Sequence, residues 1–187
     1  NHISDSSYDE NKRWPDGLSP FGFKVVKEMN KQGVMIDISH VSDAAFMKVL
    51  ELSKAPVVAT HSSLRHFTPG WERNVSDEML IALAENGGVI QLCFGSDFVA
   101  NRKDNPDIEV SVKNVVDHID RVRDLVGIDH VGFGSDFDGE VPLPEDINDV
   151  SKFPNLIEEL LIRGYTESEI DKILNENILR VWKEVRA

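Results

Sequence analysis

The chain has 187 residues, of which 41% are hydrophobic and 28% are charged, a composition that is ordinary for a folded globular protein and excludes a disordered chain. Its 20 basic and 33 acidic side chains give a formal net charge of −13, which disfavours nucleic acid and anionic membrane surfaces as partners and suits a small zwitterionic or cationic ligand. The single cysteine, Cys93, cannot form an internal disulfide, and no apolar run approaches the roughly 20 residues of a membrane span.

The first part of the chain predicts a loop followed by two helix–strand units. Residues 1–17 are polar and aperiodic, which is typical of a loop. Helix-capping residues then occur at Ser19, before a proline, and at Ser42. An apolar run follows each helix, over 34–40 and 56–61, and each run predicts a buried strand.

The middle of the chain continues the alternation of helix and strand. A third helix begins near Ser76, and a strand is predicted over 88–94. A long polar loop follows over 95–109, in a place where loops often cover sites. Residues 112–126 have the spacing of an amphipathic helix, and a fourth strand is predicted over 130–134.

The tail is predicted to be helical, and the whole pattern indicates an α/β fold. One helix covers 156–162, a capping box at Thr166–Glu169 opens another, and the last helix ends near Val185. Four βα units that run in one direction suggest either a doubly wound sheet or half of a (β/α)8 barrel. A complete barrel needs about 250 residues, so a barrel here would lack roughly its first half.

Two histidines, His40 and His61, close the first two predicted strands. Their spacing, 61 − 40 = 21 residues, leaves room for one helical crossover between neighbouring parallel strands, so both imidazoles should lie at the same edge of the sheet. Two adjacent neutral imidazoles are typical of half a zinc site, whereas a lone histidine there is more often a hydrogen-bonding residue. Asp37 should point away from this edge, because side chains alternate along a strand, and we interpret it as a buried polar partner.

Two further polar residues are predicted at the same edge. Asp136 follows the fourth strand, where a carboxylate beside a metal could orient a water and move its proton; the alternative is that Asp136 or Asp138 caps the next segment. Arg73 lies in a polar loop, from which it could hold a substrate carboxylate through two parallel hydrogen bonds; the alternative is a solvated loop charge.

The remaining histidines are predicted to be structural. The motif His118-Ile119-Asp120 has metal-ligand spacing, but it falls in the amphipathic helix, where residues two apart point to different faces. His2 and His66 lie in predicted loops without a second ligand, and His130 begins a strand at the opposite edge. No phosphate-binding glycine loop, nucleophile elbow or CxxC motif occurs, which disfavours nucleotide, serine-hydrolase and thiol chemistry.

Six segments taken together resemble the membrane (renal) dipeptidase family, the M19 metallopeptidases. The resemblance implies a (β/α)8 TIM barrel that holds two zinc ions joined by a carboxylate and a bridging water or hydroxide. The match runs nearly from end to end, and the order and spacing of the segments make it specific. The matching segments are 17–22, 36–42, 55–63, 73–75, 131–139 and 177–181.

The resemblance also implies roles for four residues. His40 and His61 correspond to the two histidine ligands of one zinc, Asp136 to the aspartate near the bridging water, and Arg73 to the arginine that binds the terminal carboxylate of the substrate. The family's His-x-Asp ligands and bridging glutamate belong to the first half of the barrel, and no residue here matches them. Its substrate-binding histidine would precede residue 1, so His2 does not inherit that role.

We therefore expect residues 1–187 to be a single partial domain, the C-terminal half of a TIM-barrel dipeptidase. The intact protein is expected to hydrolyse dipeptides with zinc. The 187 residues alone, with an incomplete zinc site and an open sheet edge, are expected to be poorly folded and inactive.

Two other functions stay open at this point, namely another TIM-barrel amidohydrolase or deaminase and a catalytically silent binding protein of the same fold. The oligomeric state is open as well, with a homodimer as one candidate. The sequence favours a soluble, cytoplasmic protein without establishing the compartment.

Overall fold

The computed structural model describes residues 2–187, so Asn1, part of the predicted loop, lies outside the described residues. Three strands form one parallel sheet: β1 is Val58–Ser62, β2 is Val89–Cys93 and β3 is Val131–Ser135. The α-helices are α1 Pro20–Gln32, α2 Asp43–Leu52, α3 Asp77–Glu85, α4 Ser96–Val99, α5 Val112–Val126, α6 Phe153–Ile162, α7 Glu167–Asp171 and α8 Asn177–Arg186. No helix within residues 2–187 is long and apolar enough to cross a bilayer.

The order of the strands in the sheet is β1-β2-β3, the same as their order in the chain. Val58 pairs with Val89, and Ile90 pairs with Val131, both in parallel register. In a doubly wound sheet the strand order reverses at a switch point, whereas a barrel adds each strand beside the previous one. The sheet therefore has the topology of part of a parallel α/β barrel, as the sequence predicted.

The prediction of a strand over 34–40 is wrong. Only Asp37 pairs with the sheet, through an isolated parallel bridge to Val58 that two backbone hydrogen bonds of 2.8 and 3.0 Å flank. The extended segment ends at His40, whose φ of 69° turns the chain away. The described residues thus contain three strands rather than four, and the segment predicted as the first strand contributes only this bridge to the sheet. Asp37 is exposed, so its interpretation as a buried residue is also wrong.

The helix boundaries follow the predicted caps. The hydroxyls of Ser19, Ser42 and Ser76 each accept a backbone N–H three residues further on, which satisfies one of the free donors at a helix start. The capping box at Thr166 and Glu169 is present at the start of α7. The polar loop predicted over 95–109 contains the short helix α4.

The core lies between the sheet and the helices that pack against one another in chain order, α2 on α3, α3 on α5 and α5 on α6. The amphipathic helix α5 contributes one complete face to this core, as its periodicity predicted. Four apolar residues of that face are fully buried: Val115, Val116, Ile119 and Val122.

The loop before α1 is irregular, as predicted, but it is held firmly. Asp5 is 1% exposed, and its carboxylate accepts the backbone N–H groups of Arg13 at 3.0 Å and Trp14 at 2.8 Å. The backbone N–H of Ser7 donates to the carbonyl of His40 at 2.8 Å. This loop therefore fixes the turn that carries His40.

Candidate metal centre and substrate site

His40 and His61 meet at the carboxyl edge of the sheet. His61 lies near the end of β1, and His40 follows the bridge beside β1. Their Nε2 atoms are 2.8 Å apart, and their ring centroids are 4.8 Å apart. Because His40 is exposed and His61 is half-buried, a ligand can reach the point where the two nitrogens converge. The structure thus brings together the two histidines that the sequence singled out.

Arg73 is buried beside this pair. Its side chain is 3% exposed, so the alternative of a solvated loop charge is wrong. Nη1 donates to Ser62 Oγ at 2.8 Å, and Nη2 donates to the carbonyl of His61 at 2.6 Å. Nη2 also lies 3.1 Å from His40 Nε2, and the guanidinium stands 5.1 Å from the centre of the Phe98 ring. Arginine thus joins the edge of the sheet to α4.

Asn74 holds the loop that positions Arg73. Its side chain is fully buried, and Oδ1 accepts the backbone N–H of Ser63 at 3.2 Å. Nδ2 donates to Thr68 Oγ1 at 2.7 Å and to the carbonyl of Phe98 at 2.8 Å. These bonds hold Arg73 and the neighbouring Phe98 ring in fixed positions relative to each other. The sequence pattern assigned no role to Asn74, because its partners are distant in the chain.

Asp136 lies directly after β3, in a strained turn. Ser135 and Asp136 have φ values of 46° and 67°, a region that residues other than glycine rarely adopt and that is common at functional sites. Its Oδ2 accepts a hydrogen bond from Cys93 Sγ at 3.6 Å. Within residues 2–187 no helix begins at Asp136 or Asp138, since the next helical turn is Glu145–Ile147, so the capping alternative has no helix to cap.

Two pKa shifts describe the electrostatics of this edge. Burial lowers the pKa of His40, as do the charge of Arg73 and the proximity of His61, while Asp136 and Asp37 act in the opposite direction. Burial raises the pKa of Cys93 to about 12, so Cys93 is a neutral thiol that donates to Asp136. The edge therefore favours a neutral imidazole at His40, which is the form that binds metals.

The donor set fits part of a metal site. Arginine can only donate, so its contact with His40 Nε2 requires an unprotonated nitrogen there. Two nitrogen ligands 2.0–2.1 Å from a tetrahedral ion are about 3.3 Å apart, close to the 2.8 Å between the Nε2 atoms of His40 and His61. Among residues 2–187 no group of three His, Cys, Asp or Glu side chains could hold a metal, so these residues supply only two ligands.

The other histidines occupy the places that the sequence predicted. His118 is fully buried in α5, with both ring nitrogens bonded to backbone groups. His130 bonds to the carbonyl of Gly88 at the opposite edge of the sheet, and His66 is exposed with its ring against Phe67. Among the described residues, none of these three forms a hydrogen bond with a second histidine.

The parallel α/β sheet carries two convergent imidazoles, a buried arginine and an aspartate at its carboxyl edge, which is the edge where α/β barrels place their active sites. The sequence matches the membrane dipeptidases, peptidase family M19, over residues 1–187. The chain belongs to this family.

Solved structures agree with this assignment. The probable dipeptidase PvdM from Pseudomonas aeruginosa is 30% identical and matches 100% of this chain and 60% of its own, with a TM-score of 0.89. A metallopeptidase from Rhodobacter sphaeroides, liganded with a phosphinate mimic of the dipeptide L-Ala-D-Ala, is 35% identical over 91% of this chain and 48% of its own, with a TM-score of 0.84. An amidohydrolase from Pseudomonas aeruginosa is 30% identical over 99% of this chain and 61% of its own, with a TM-score of 0.85. The chain therefore spans about half to three-fifths of the length of these proteins.

Proposed function

We propose that the intact protein containing this chain is a zinc-dependent dipeptidase. The observation that carries the proposal is the convergence of His40 Nε2 and His61 Nε2, 2.8 Å apart, with Arg73 against both residues. Membership of the membrane dipeptidase family supports hydrolysis of a dipeptide, as does the likeness to a metallopeptidase liganded with a dipeptide mimic.

His40 and His61 would hold one zinc ion through their Nε2 atoms. When bound, zinc lowers the pKa of a water and polarises the scissile carbonyl. Asp136, which accepts a hydrogen bond from Cys93 and whose charge acts on His40, would orient the attacking water and carry its proton to the leaving amine.

Arg73 would bind the terminal carboxylate of the substrate. Its Nε is buried and has no hydrogen-bond partner among residues 2–187, so the guanidinium keeps a donor for a ligand. The bonds to Ser62 and His61 fix its position next to the metal ligands. A carboxylate held this close to the reacting carbonyl favours very short peptides.

The chain is proposed to be the C-terminal half of the intact protein, whose other half would supply the remaining zinc ligands. A homodimer and a cytoplasmic location stay predictions. Expression of residues 1–187 alone should give a poorly folded product without dipeptidase activity in added zinc. Activity equal to that of the intact protein would contradict this assignment.

Metal content tests the proposed ligands. In the intact protein, His40→Ala and His61→Ala should each lose one zinc, measured by atomic emission on dialysed protein with circular dichroism as the check on folding. His66→Ala, which removes an exposed histidine, is the matched control and should keep the full metal content. Unchanged zinc in both test variants would overturn the ligand assignment.

A second candidate function is hydrolysis of another amide, because an amidohydrolase from Pseudomonas aeruginosa matches this chain nearly as well as the dipeptidases do. Fold alone does not separate the two activities. Assays of the zinc-loaded protein on dipeptides, cyclic amides and nucleobases would decide between them. Turnover of dipeptides alone supports the proposal, and turnover of none supports a silent binding protein.

A further inference from the structure

Asp37 and Thr60 form a hydrogen-bonded chain that ends on the proposed metal ligand His61. Asp37 Oδ2 lies 2.6 Å from Thr60 Oγ1, and Thr60 Oγ1 lies 2.8 Å from His61 Nδ1. Asp37 Oδ1 accepts the backbone N–H groups of Ser39 at 2.9 Å and Thr60 at 3.1 Å. Both carboxylate oxygens are therefore committed to the segments that carry His40 and His61.

The direction of each hydrogen bond follows from the chemistry of the groups. A carboxylate can only accept, so the hydroxyl of Thr60 must donate its one proton to Asp37. Thr60 Oγ1 can then only accept from His61, and the proton of that bond must come from Nδ1. A neutral imidazole protonated at Nδ1 carries its lone pair on Nε2. That atom faces His40 Nε2, whose lone pair is likewise exposed because Arg73 can only donate to it. The 2.8 Å contact between the two nitrogens is therefore a pair of facing lone pairs and not a hydrogen bond, which is the arrangement that a cation would hold.

We propose that Asp37 and Thr60 are positioning residues that keep His61 in the tautomer with an unprotonated Nε2, ready to bind the metal. This inference rests on the proposed function only in naming His61 as a ligand. Histidine ligands commonly donate their second ring nitrogen to an oxygen, which fixes the ring and raises its basicity. Here a threonine hydroxyl stands between the imidazole and the carboxylate.

Asp37 is well placed for this role. It is exposed, and no lysine or arginine among residues 2–187 forms an ion pair with it. The carboxylate therefore makes no ion pair in the part of the chain that the structure describes, although its charge also acts on His40 and Arg73. Its only side-chain partner there is Thr60, and its charge orients the hydroxyl of that residue.

The variant Asp37→Asn should reverse the chain of hydrogen bonds. Oδ1 of the asparagine would keep the two backbone N–H groups that Asp37 Oδ1 accepts, which places the amide NH2 against Thr60 Oγ1. The amide must then donate to Thr60, and the hydroxyl must donate to His61 Nδ1. That arrangement selects the opposite tautomer, in which Nε2 carries the proton and cannot bind a metal.

Three variants of the intact protein test the proposal. Thr60→Val removes the hydroxyl at nearly constant volume and should weaken zinc binding about 10- to 100-fold, the usual effect of losing such a partner. Thr60→Ser restores the hydroxyl and should bind zinc like the wild type. Asp37→Asn should bind zinc at least as weakly as Thr60→Val. Asp16→Asn, which neutralises an exposed carboxylate far from the imidazoles in the chain, is the charge control.

The decisive readout is the tautomer of His61 in metal-free protein, read from long-range 1H–15N correlation spectra of the imidazole. The wild type and Thr60→Ser should carry the proton on Nδ1, and Asp37→Asn should carry it on Nε2. Wild-type tautomer and zinc affinity in both Thr60→Val and Asp37→Asn would overturn the proposal. If the wild type shows the Nδ1–H tautomer but binds no zinc, the proposed function fails while the hydrogen-bonded chain stands.

Discussion

Two histidine environments in this chain show how a fold separates a ligand from a structural residue. In α5, His118 is fully buried; its Nδ1 accepts the backbone N–H of Leu64 at 3.0 Å and its Nε2 donates to the carbonyl of Val99 at 3.2 Å. At the edge of the sheet, His40 and His61 turn their Nε2 atoms toward each other and toward an accessible point.

The two environments differ in whether a ring nitrogen remains available to bind a ligand. Both nitrogens of His118 are used by the backbone, so the ring works as a cross-link between a loop and α4. At the edge, Nδ1 of His61 is held by Thr60, whereas its Nε2 is bonded to no backbone group among the described residues and faces His40 Nε2 at 2.8 Å. A histidine with one satisfied nitrogen and one free nitrogen is prepared for a ligand, and a histidine with two satisfied nitrogens is not.

The largest expected effect comes from breaking the buried environment. His118→Leu leaves a buried N–H at Leu64 and a buried carbonyl at Val99 without partners, which should cost about 3 kcal/mol of unfolding free energy. Urea denaturation followed by circular dichroism measures this change, with the exposed His66→Leu as control. The zinc content of the folded variant should stay at the wild-type level. A stable His118→Leu variant that loses zinc would mean that His118 serves the metal site and is not a structural residue.

Gly139→Ala, which changes only the carboxyl edge of the sheet, should lower activity and leave stability unchanged. A Cβ at this position would lie 2.5 Å from Asp136 Oδ1, so the carboxylate must move, while the backbone of Gly139 is not in the left-handed region. Displacing the proposed proton carrier should lower kcat about 100-fold. Zinc content and urea midpoint should not change. Asp138→Ala, at an exposed neighbour, should keep its activity, and equal kcat in all three proteins would remove Asp136 from the mechanism.

The fold was largely predictable from the sequence because its signals are local. Serine caps at Ser19, Ser42 and Ser76 set three helix starts, and the apolar spacing of α5 predicted its buried face. The strand predicted over 34–40 failed because pairing depends on distant partners, and the turn at His40 stops the bridge from extending.

The candidate site was predictable only in part. His40, His61 and Asp136 stand out because they follow apolar runs, and parallel strands bring such ends together. The burial of Arg73 depends on Asn74 and on the Phe98 ring of α4, which are neighbours only in the folded chain. No periodicity could assign those contacts.

Lowering the pH should destabilise the protein through the buried His118. Burial lowers the pKa of His118 to about 3 from 6.5, so between these values the unfolded chain binds a proton that the folded chain does not. The contribution to stability is complete above pH 6.5 and declines as the pH falls. At about 1.4 kcal/mol per pH unit, the loss between pH 6.5 and pH 5 is about 2 kcal/mol. Urea midpoints at the two pH values should differ less in His118→Leu, and an equal difference would assign the effect to other groups.

The smallest expected effect concerns Arg73, which is buried like His118 but whose Nε has no hydrogen-bond partner among residues 2–187. Arg73→Lys preserves the charge and loses the planar fork that grips a carboxylate at two points. If that contact is equal in the ground state and the transition state, KM for a dipeptide should rise about tenfold with kcat unchanged.

The matched substrate is the dipeptide amide, which lacks the terminal carboxylate. Its KM should be similar for the wild type and Arg73→Lys, because the arginine then has no partner to lose. An equal rise in KM for both substrates would mean that Arg73 supports the fold of the edge, in the way that His118 supports the core, and does not bind the substrate.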